Sequence, residues 1–181
     1  PDMLTLLQLD QASIERIVAT VPGGAANVQD IYPLAPLQEG ILYHHLSAAQ
    51  GDPYLLQSRL AFDSLERLQA FAAALRQVMT RHDILRTGVV WEGLATPVQV
   101  VWREAQLPVQ EVALDPAAGD VLAQLYERFD ARHYRIDLSQ APLIRLVYAQ
   151  DPANDRVVAM LLFHHIAMDH TALEVVQQEL Q

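Results

Sequence analysis

Two histidine pairs carry most of the chemistry this chain could do. His164 and His165 close an apolar run in LLFHHIAMDHTALEVV, Asp169 follows four residues after the second, and His170 comes next. His44 and His45 stand in GILYHHLSAAQGDPYL, ahead of Gly51 and Asp52. A neutral imidazole is the usual side chain for moving protons near neutral pH. On a strand, successive side chains point to opposite faces. His164 and His165 therefore cannot share one cavity: one faces a site and the other is held in the core as its support. Three readings of the cluster stand side by side. One histidine accepts a proton from an attacking amine; or both are buried and hydrogen-bonded; or His164, His165, Asp169 and His170 ligate a metal. The opposite strand faces and the lack of a helical H-x-x-x-H pair weigh against the metal.

A third cluster, RHDILRT, places Arg81, His82, Asp83 and Arg86 where a helix gives way to a strand. Arg81 and His82 there compensate the helix dipole, or one arginine pairs with Asp169 and fixes the loop that carries the active histidine.

The elements that must position these groups follow from local patterns. DQASIERIVATV sets Ile14, Ile17, Val18 and Val21 at helical spacing, and PGGAAN breaks it. Pro36 suits the first turn of a helix running to about Ala49, which Gly-Asp-Pro ends. YLLQSRLAFD reads as a strand. SLERLQAFAAALRQVMTRH is the clearest helix, with Leu65, Leu68, Phe71, Leu75, Val78 and Met79 on one stripe and Ser64 as N-cap. DILRTGVVWEG and TPVQVVW predict two strands about a turn, and LPVQEVAL a further one. AAGDVLAQLYERFDARHYR predicts a second long helix. APLIRLVYAQD and DRVVAMLLFHHI pair around PAND, and HTALEVVQQELQ predicts a last helix. The fold class expected is α+β (mixed α/β), helices covering a largely antiparallel sheet. Residues 1–30 read as an entry segment and 31–181 as the lobe itself.

Composition excludes several classes. The 181 residues suffice for one medium domain or lobe, 51% apolar and 19% charged. All twelve basic residues are arginine and the net charge is −10. Without lysine there is no Schiff-base or Walker-type phosphate chemistry. An acidic chain is a poor partner for nucleic acid or an anionic membrane. With no cysteine, disulfides and thiolate nucleophiles are out. No apolar run of about 18 residues predicts a membrane-spanning helix. The start lacks both a basic n-region and an initiator Met, as a piece of a longer polypeptide would.

Taken together, the three clusters resemble the condensation domains of nonribosomal peptide synthetases. HHIAMDH is similar to that family's HHxxxDG motif, RHDILRTGV to its RHxxLRTxF block, and IYPLAPLQEGILYHHL to its YPLxPxQEGxLFHH block, in the family's order along the chain. HHLSAAQGD, from His44 to Asp52, resembles the HH[IL]xxxxGD motif of dual epimerisation/condensation domains. The resemblance implies the N-terminal of two chloramphenicol-acetyltransferase-like lobes, with the active site in a tunnel between the two. It implies His165 as the catalytic histidine, His164 as structural, and Asp169 paired with Arg81 or Arg86. His44, His45, Gly51 and Asp52 become the epimerisation motif. His170 departs from the family, which has glycine there, and is expected either to leave the turn in an ordinary conformation or to line the tunnel.

The activity so implied is peptide-bond formation between donor and acceptor thioesters, after L-to-D inversion of the donor Cα. Both substrates ride on the 4′-phosphopantetheine of carrier domains, and no metal or cofactor of the lobe's own is implied. The expected partners are upstream and downstream peptidyl carrier domains and the C-terminal lobe, with residues 1–30 as the linker from an upstream carrier. Dimerisation through an exposed lobe face, inactivity of the isolated fragment, and a bacterial, cytoplasmic setting complete the expectation. Rival readings are condensation without epimerisation, a coenzyme-A-dependent acyltransferase of related fold, and an inactive carrier-binding lobe.

Overall fold

The computed structural model describes residues 9–167 and 170–180, with the backbone alone at 170–173. In chain order the elements are α1 (Gln11–Ala19), β1 (Val28–Pro33), α2 (Pro36–Ser47), β2 (Leu55–Phe62) and α3 (Leu65–Arg81). Then come β3 (Thr87–Val90), β4 (Val98–Trp102), β5 (Val109–Glu111), α4 (Val121–Arg128), β6 (Ile144–Asp151), β7 (Arg156–His164) and α5 (His170–Glu179). The expected mixed α/β class holds, but the strands form two sheets where one was expected. The smaller is antiparallel in the order β1-β4-β3; the larger runs β2-β7-β6-β5, antiparallel except for the β5–β6 pair.

β7 explains the uninterrupted apolar run. It lies between β2 and β6 and is buried on both faces, as such a run requires. Val158, Met160 and Leu162 face a core shared with Ile41 and Leu42 of α2 and Val121 and Leu125 of α4. Val157, Ala159, Leu161 and Phe163 face the opposite core, built with Leu68, Leu75, Val78 and Met79 of α3 and Val176 of α5. Each large aliphatic side chain so buried stabilises the fold by about 1.5–3 kcal/mol. The strand period thus assigns His164 to the α2/α4 side before any contact is considered.

Several elements form as their sequence dictates. The Ser64 side chain accepts from Arg67 N at 3.3 Å and caps α3. Asp10 caps α1 through Ser13 N at 2.7 Å, and Pro36 opens α2. Other expectations need correction. The second long helix stops at Arg128, because the Asp130 carbonyl accepts from His133 N and Tyr134 N and the Asp130 carboxylate from Arg132 N. These bonds close a turn where the helix would have continued. The strand expected from Asp83 begins at Thr87, after a 3-10 turn over Asp83–Arg86. β1 is a strand that the local pattern does not announce, and it crosses the boundary drawn between residues 30 and 31. The entry segment packs on the small sheet: Ile17 and Val21 are buried with Val90, Val98, Val100 and Trp102.

Candidate active site

At the end of β7 the two histidines part: His164 is the last residue of the strand and His165 the first of the turn that follows. His164 is fully buried and His165 half-buried. The backbone holds both. His164 N donates to Leu143 O and His165 N to Tyr54 O, each at 3.0 Å. The His165 ring stacks near-parallel on Tyr54 at 6.4 Å between centroids, and the His44 ring lies 6.1 Å from the same tyrosine. His44 is exposed. His44, Tyr54 and His165 therefore form one row of rings at the surface.

Beneath that row is a buried polar chain. Asp52 Oδ2 accepts from both His45 Nδ1 and His164 Nε2, each at 2.6 Å. Asp52 Oδ1 accepts from Tyr54 N at 2.9 Å. On the far side of His45, an Nη2 of Arg135 lies 3.1 Å from Nε2. Burial alone would push the Asp52 carboxyl up, but the hydrogen bonds from His164, His45 and Tyr54 N outweigh it. The carboxyl is held well below the usual carboxylate range.

Gly51 makes this arrangement possible. Its φ is +65°, and a Cβ there would lie 2.3 Å from Ala131 O and 2.4 Å from Arg132 O. Those carbonyls belong to the turn that replaces the end of the expected helix. Asp52 N bonds the same turn, at Ala131 O, at 2.7 Å. In this structure His45, Gly51 and Asp52 thus form a buried bracket between α2, the α4 turn and β7, while His44 alone of that motif faces outward.

Gln38, in the first turn of α2, adds a tie that the sequence reading missed. Its Nε2 donates to Ile166 O at 3.0 Å, and its Oε1 accepts from Ala35 N at 2.8 Å. It therefore fixes the backbone just after His165. Arg135 and Tyr54 were also missed; nothing in their local pattern marks them.

The RHDILRT cluster splits in two. Arg81 and His82 both reach Glu179 of α5 at 2.8 Å, joining the ends of α3 and α5. Arg86 is buried and donates to Met79 O, Trp102 O, Gln29 Oε1 and Asp83 Oδ1. It pins the 3-10 turn to both sheet and helix. Asp169 lies outside the described residues, and so does its expected pairing with Arg81 or Arg86. His170 begins α5; its side chain lies outside the described residues.

Among the described residues, one set of donor atoms is close enough to hold a metal: those of His45, Asp52 and His164. The hydrogen-bond pattern fills them with protons instead. Arg135 and Ile166 N, at 3.1 Å from His164 Nδ1, occupy the remaining ring nitrogens as donors, and a guanidinium beside the site opposes a cation. The other metal reading, which needed Asp169 and His170, falls partly outside the described residues.

Comparisons with known proteins now bear on this geometry. The chain is 54% identical over 180 residues to malpinin synthetase of Mortierella alpina, covering 99% of this chain and 2% of that protein. It is 50% identical to malpibaldin synthetase of the same organism, covering 100% of this chain and 3% of that protein. It is 31% identical to tyrocidine synthase 3 of Brevibacillus parabrevis, covering 85% of this chain and 2% of that protein. The chain thus spans only a small part of the curated relatives it matches. The first two come from a fungus, which gives the expected bacterial source no support. The fold is similar to the starter condensation domain of rhizomide synthetase, with TM-score 0.61 and 24% identity over 84% of this chain and 38% of that one. It is also similar to a four-domain nonribosomal peptide synthetase bound to AMP and glycine, with TM-score 0.68 and 19% identity over 99% of this chain and 13% of that one. The family model of the condensation domain matches residues 28–181, from the first strand through all three motif blocks, and the chain belongs to that family.

Proposed function

We propose that this lobe supplies the working histidine for peptide-bond formation between two carrier-bound thioesters, and that His165 is that residue. The observation that carries the reading is the division of the pair. His164 is sealed into a buried network, while His165 is held by Tyr54 at the surface row. In the reaction the acceptor amine attacks the donor thioester carbonyl, the C–N bond forms and the C–S bond breaks. His165 takes the proton from the amine or orients it, and the thiolate of the phosphopantetheine arm leaves and is protonated. The lobe needs no cofactor of its own for these steps. Its partners are the two peptidyl carrier domains and the second lobe, which closes the tunnel. Residues 1–27, ahead of β1, lead in from an upstream carrier, and the reaction takes place in the cytoplasm.

The epimerisation step is part of the same reading. Removal of the donor Cα proton needs a base that reaches solvent-accessible space. His165 is the candidate, with His44 assisting, since His45 has both ring nitrogens engaged. The test uses the intact two-lobe domain with loaded carriers. His165→Ala lowers dipeptide formation by about 10²–10⁴-fold; turnover at the unsubstituted rate overturns the assignment. His44→Ala spares condensation of a D-donor and loses inversion of an L-donor. Equal loss with both donors refutes the dual activity and leaves condensation alone.

A further inference from the structure

We propose that Arg135 is a positioning residue: by donating to His45 it fixes the direction of the hydrogen-bond chain through Asp52 to His164, and so sets the placement of His165. This rests on the reading that His165 is the working histidine.

The chain has only one consistent set of donors and acceptors. A guanidinium can only donate, so His45 Nε2 accepts from Arg135 and the His45 proton sits on Nδ1. That Nδ1–H donates to Asp52 Oδ2 at 2.6 Å. From the other end, Ile166 N–H donates to His164 Nδ1 at 3.1 Å, so the His164 proton sits on Nε2 and donates to the same oxygen at 2.6 Å. Asp52 Oδ1 takes Tyr54 N–H, and the Tyr54 carbonyl takes His165 N–H at 3.0 Å. Asp52 thus reaches His165 by two routes, through the side chain of the preceding residue and through the backbone of Tyr54.

Arg135 holds the other end of this path in a fork. It donates to the carbonyls of His45 at 2.7 Å, Gly51 at 2.8 Å and Ala48 at 3.3 Å. It therefore also places a cation at the C-terminal end of α2, where the helix dipole favours one. No other described side chain donates to His45 Nε2. A carboxylate that accepts two imidazoles and one amide can do so only while both imidazoles present N–H. Losing the fixed tautomer at His45 leaves a buried donor or acceptor unmatched.

The test uses the synthetase module with both carriers loaded, measuring kcat and KM for dipeptide formation. Melting temperatures confirm that each variant is folded at the assay temperature. Arg135→Met, which has no donor, lowers kcat by about 10-fold and leaves KM unchanged, and Arg135→Lys, which can still donate to Nε2, recovers most of that loss. Asp52→Asn sets its amide NH2 against at least one N–H donor, whichever way it turns, and lowers kcat by about 10²-fold, the scale of a misplaced reacting group. Combined with His165→Ala, Arg135→Met brings no further loss, because both act through one residue. Folded Arg135 variants with unsubstituted kcat, or a full additional loss in the His165→Ala background, overturn the proposal. If Asp52→Asn does not fold, the two Arg135 variants decide, since that residue is only partly buried. A His165→Ala domain that keeps its turnover overturns instead the reading on which the proposal rests.

Discussion

Gly51→Ala tests the central structural claim, that this glycine exists to let the Asp52 bracket close. Three contributions add. A left-handed conformation costs an alanine about 1–2 kcal/mol. The new Cβ would stand 2.3 and 2.4 Å from two backbone carbonyls, those of Ala131 and Arg132. Backbone cannot swing aside as a side-chain tip would, so the two loops must separate. Separation breaks the Asp52 N to Ala131 O bond of 2.7 Å, worth about 0.5–1.5 kcal/mol net. It also loosens the bonds to the Asp52 carboxylate, where a charge-assisted bond is worth about 1.5–3 kcal/mol. The sum is about 3–6 kcal/mol, against a typical domain stability of about 5–15 kcal/mol. Gly40 supplies the control. It lies within α2, and nothing stands within 4 Å of the place a methyl group would take, so Gly40→Ala stabilises by up to about 1 kcal/mol through helix propensity. Urea unfolding followed by circular dichroism measures both. With a slope of about 2–3 kcal/mol per M, the two midpoints lie more than about 1 M apart. A Gly51→Ala protein within about 1 kcal/mol of its parent refutes the reasoning.

Other outcomes follow from the same contacts. The Asp52 carboxyl titrates below its ordinary value when folded, so it contributes stability that is full above about pH 4 and lost as pH falls further. Asp52→Asn removes that dependence, and an acid titration of the denaturation midpoint therefore falls less steeply below about pH 4 in the variant than in the parent. Arg86→Met leaves the carbonyls of Met79 and Trp102 without their donor and destabilises by about 2–4 kcal/mol in thermal melts. Ser64→Ala removes the α3 cap and lowers stability by about 1 kcal/mol. Leu75→Ala, at a fully buried site, costs about 2–5 kcal/mol.

The parts of the fold that were legible are those written in local periodicity. The α3 stripe, the Ser64 cap and the β6–β7 hairpin each depend on residues within one or two turns of each other, and strand alternation places His164 on the α2/α4 side of β7. What escaped depends on distance along the chain. His164 and Asp52 are 112 residues apart and Arg135 and His45 are 90 apart, and no local pattern announces either meeting. The truncated α4 failed for a related reason. ERFDARHYR suits a helix on propensity, but Asp130 bonds locally to the following amides and competes with it. In sequence the stretch from His44 to Asp52 looks like a set of reactive groups, whereas burial divides His44, His45, Gly51 and Asp52 into one exposed histidine and three buried residues.

The position of β7 also has a consequence for how this lobe is made. β2 and β6 do not pair with each other; β2 joins the larger sheet only through β7, while β6 pairs with both β7 and β5. β2 leaves the ribosome about a hundred residues ahead of β7 and must wait with an unsatisfied edge and an apolar face, a period of exposure to chaperones and to mispairing. Insertion of residues 156–164 completes the sheet, and the same event delivers His164 to Asp52. Synthesis order thus makes the histidine pair a reporter of successful folding: a lobe whose central strand has not docked has no ordered site to misuse.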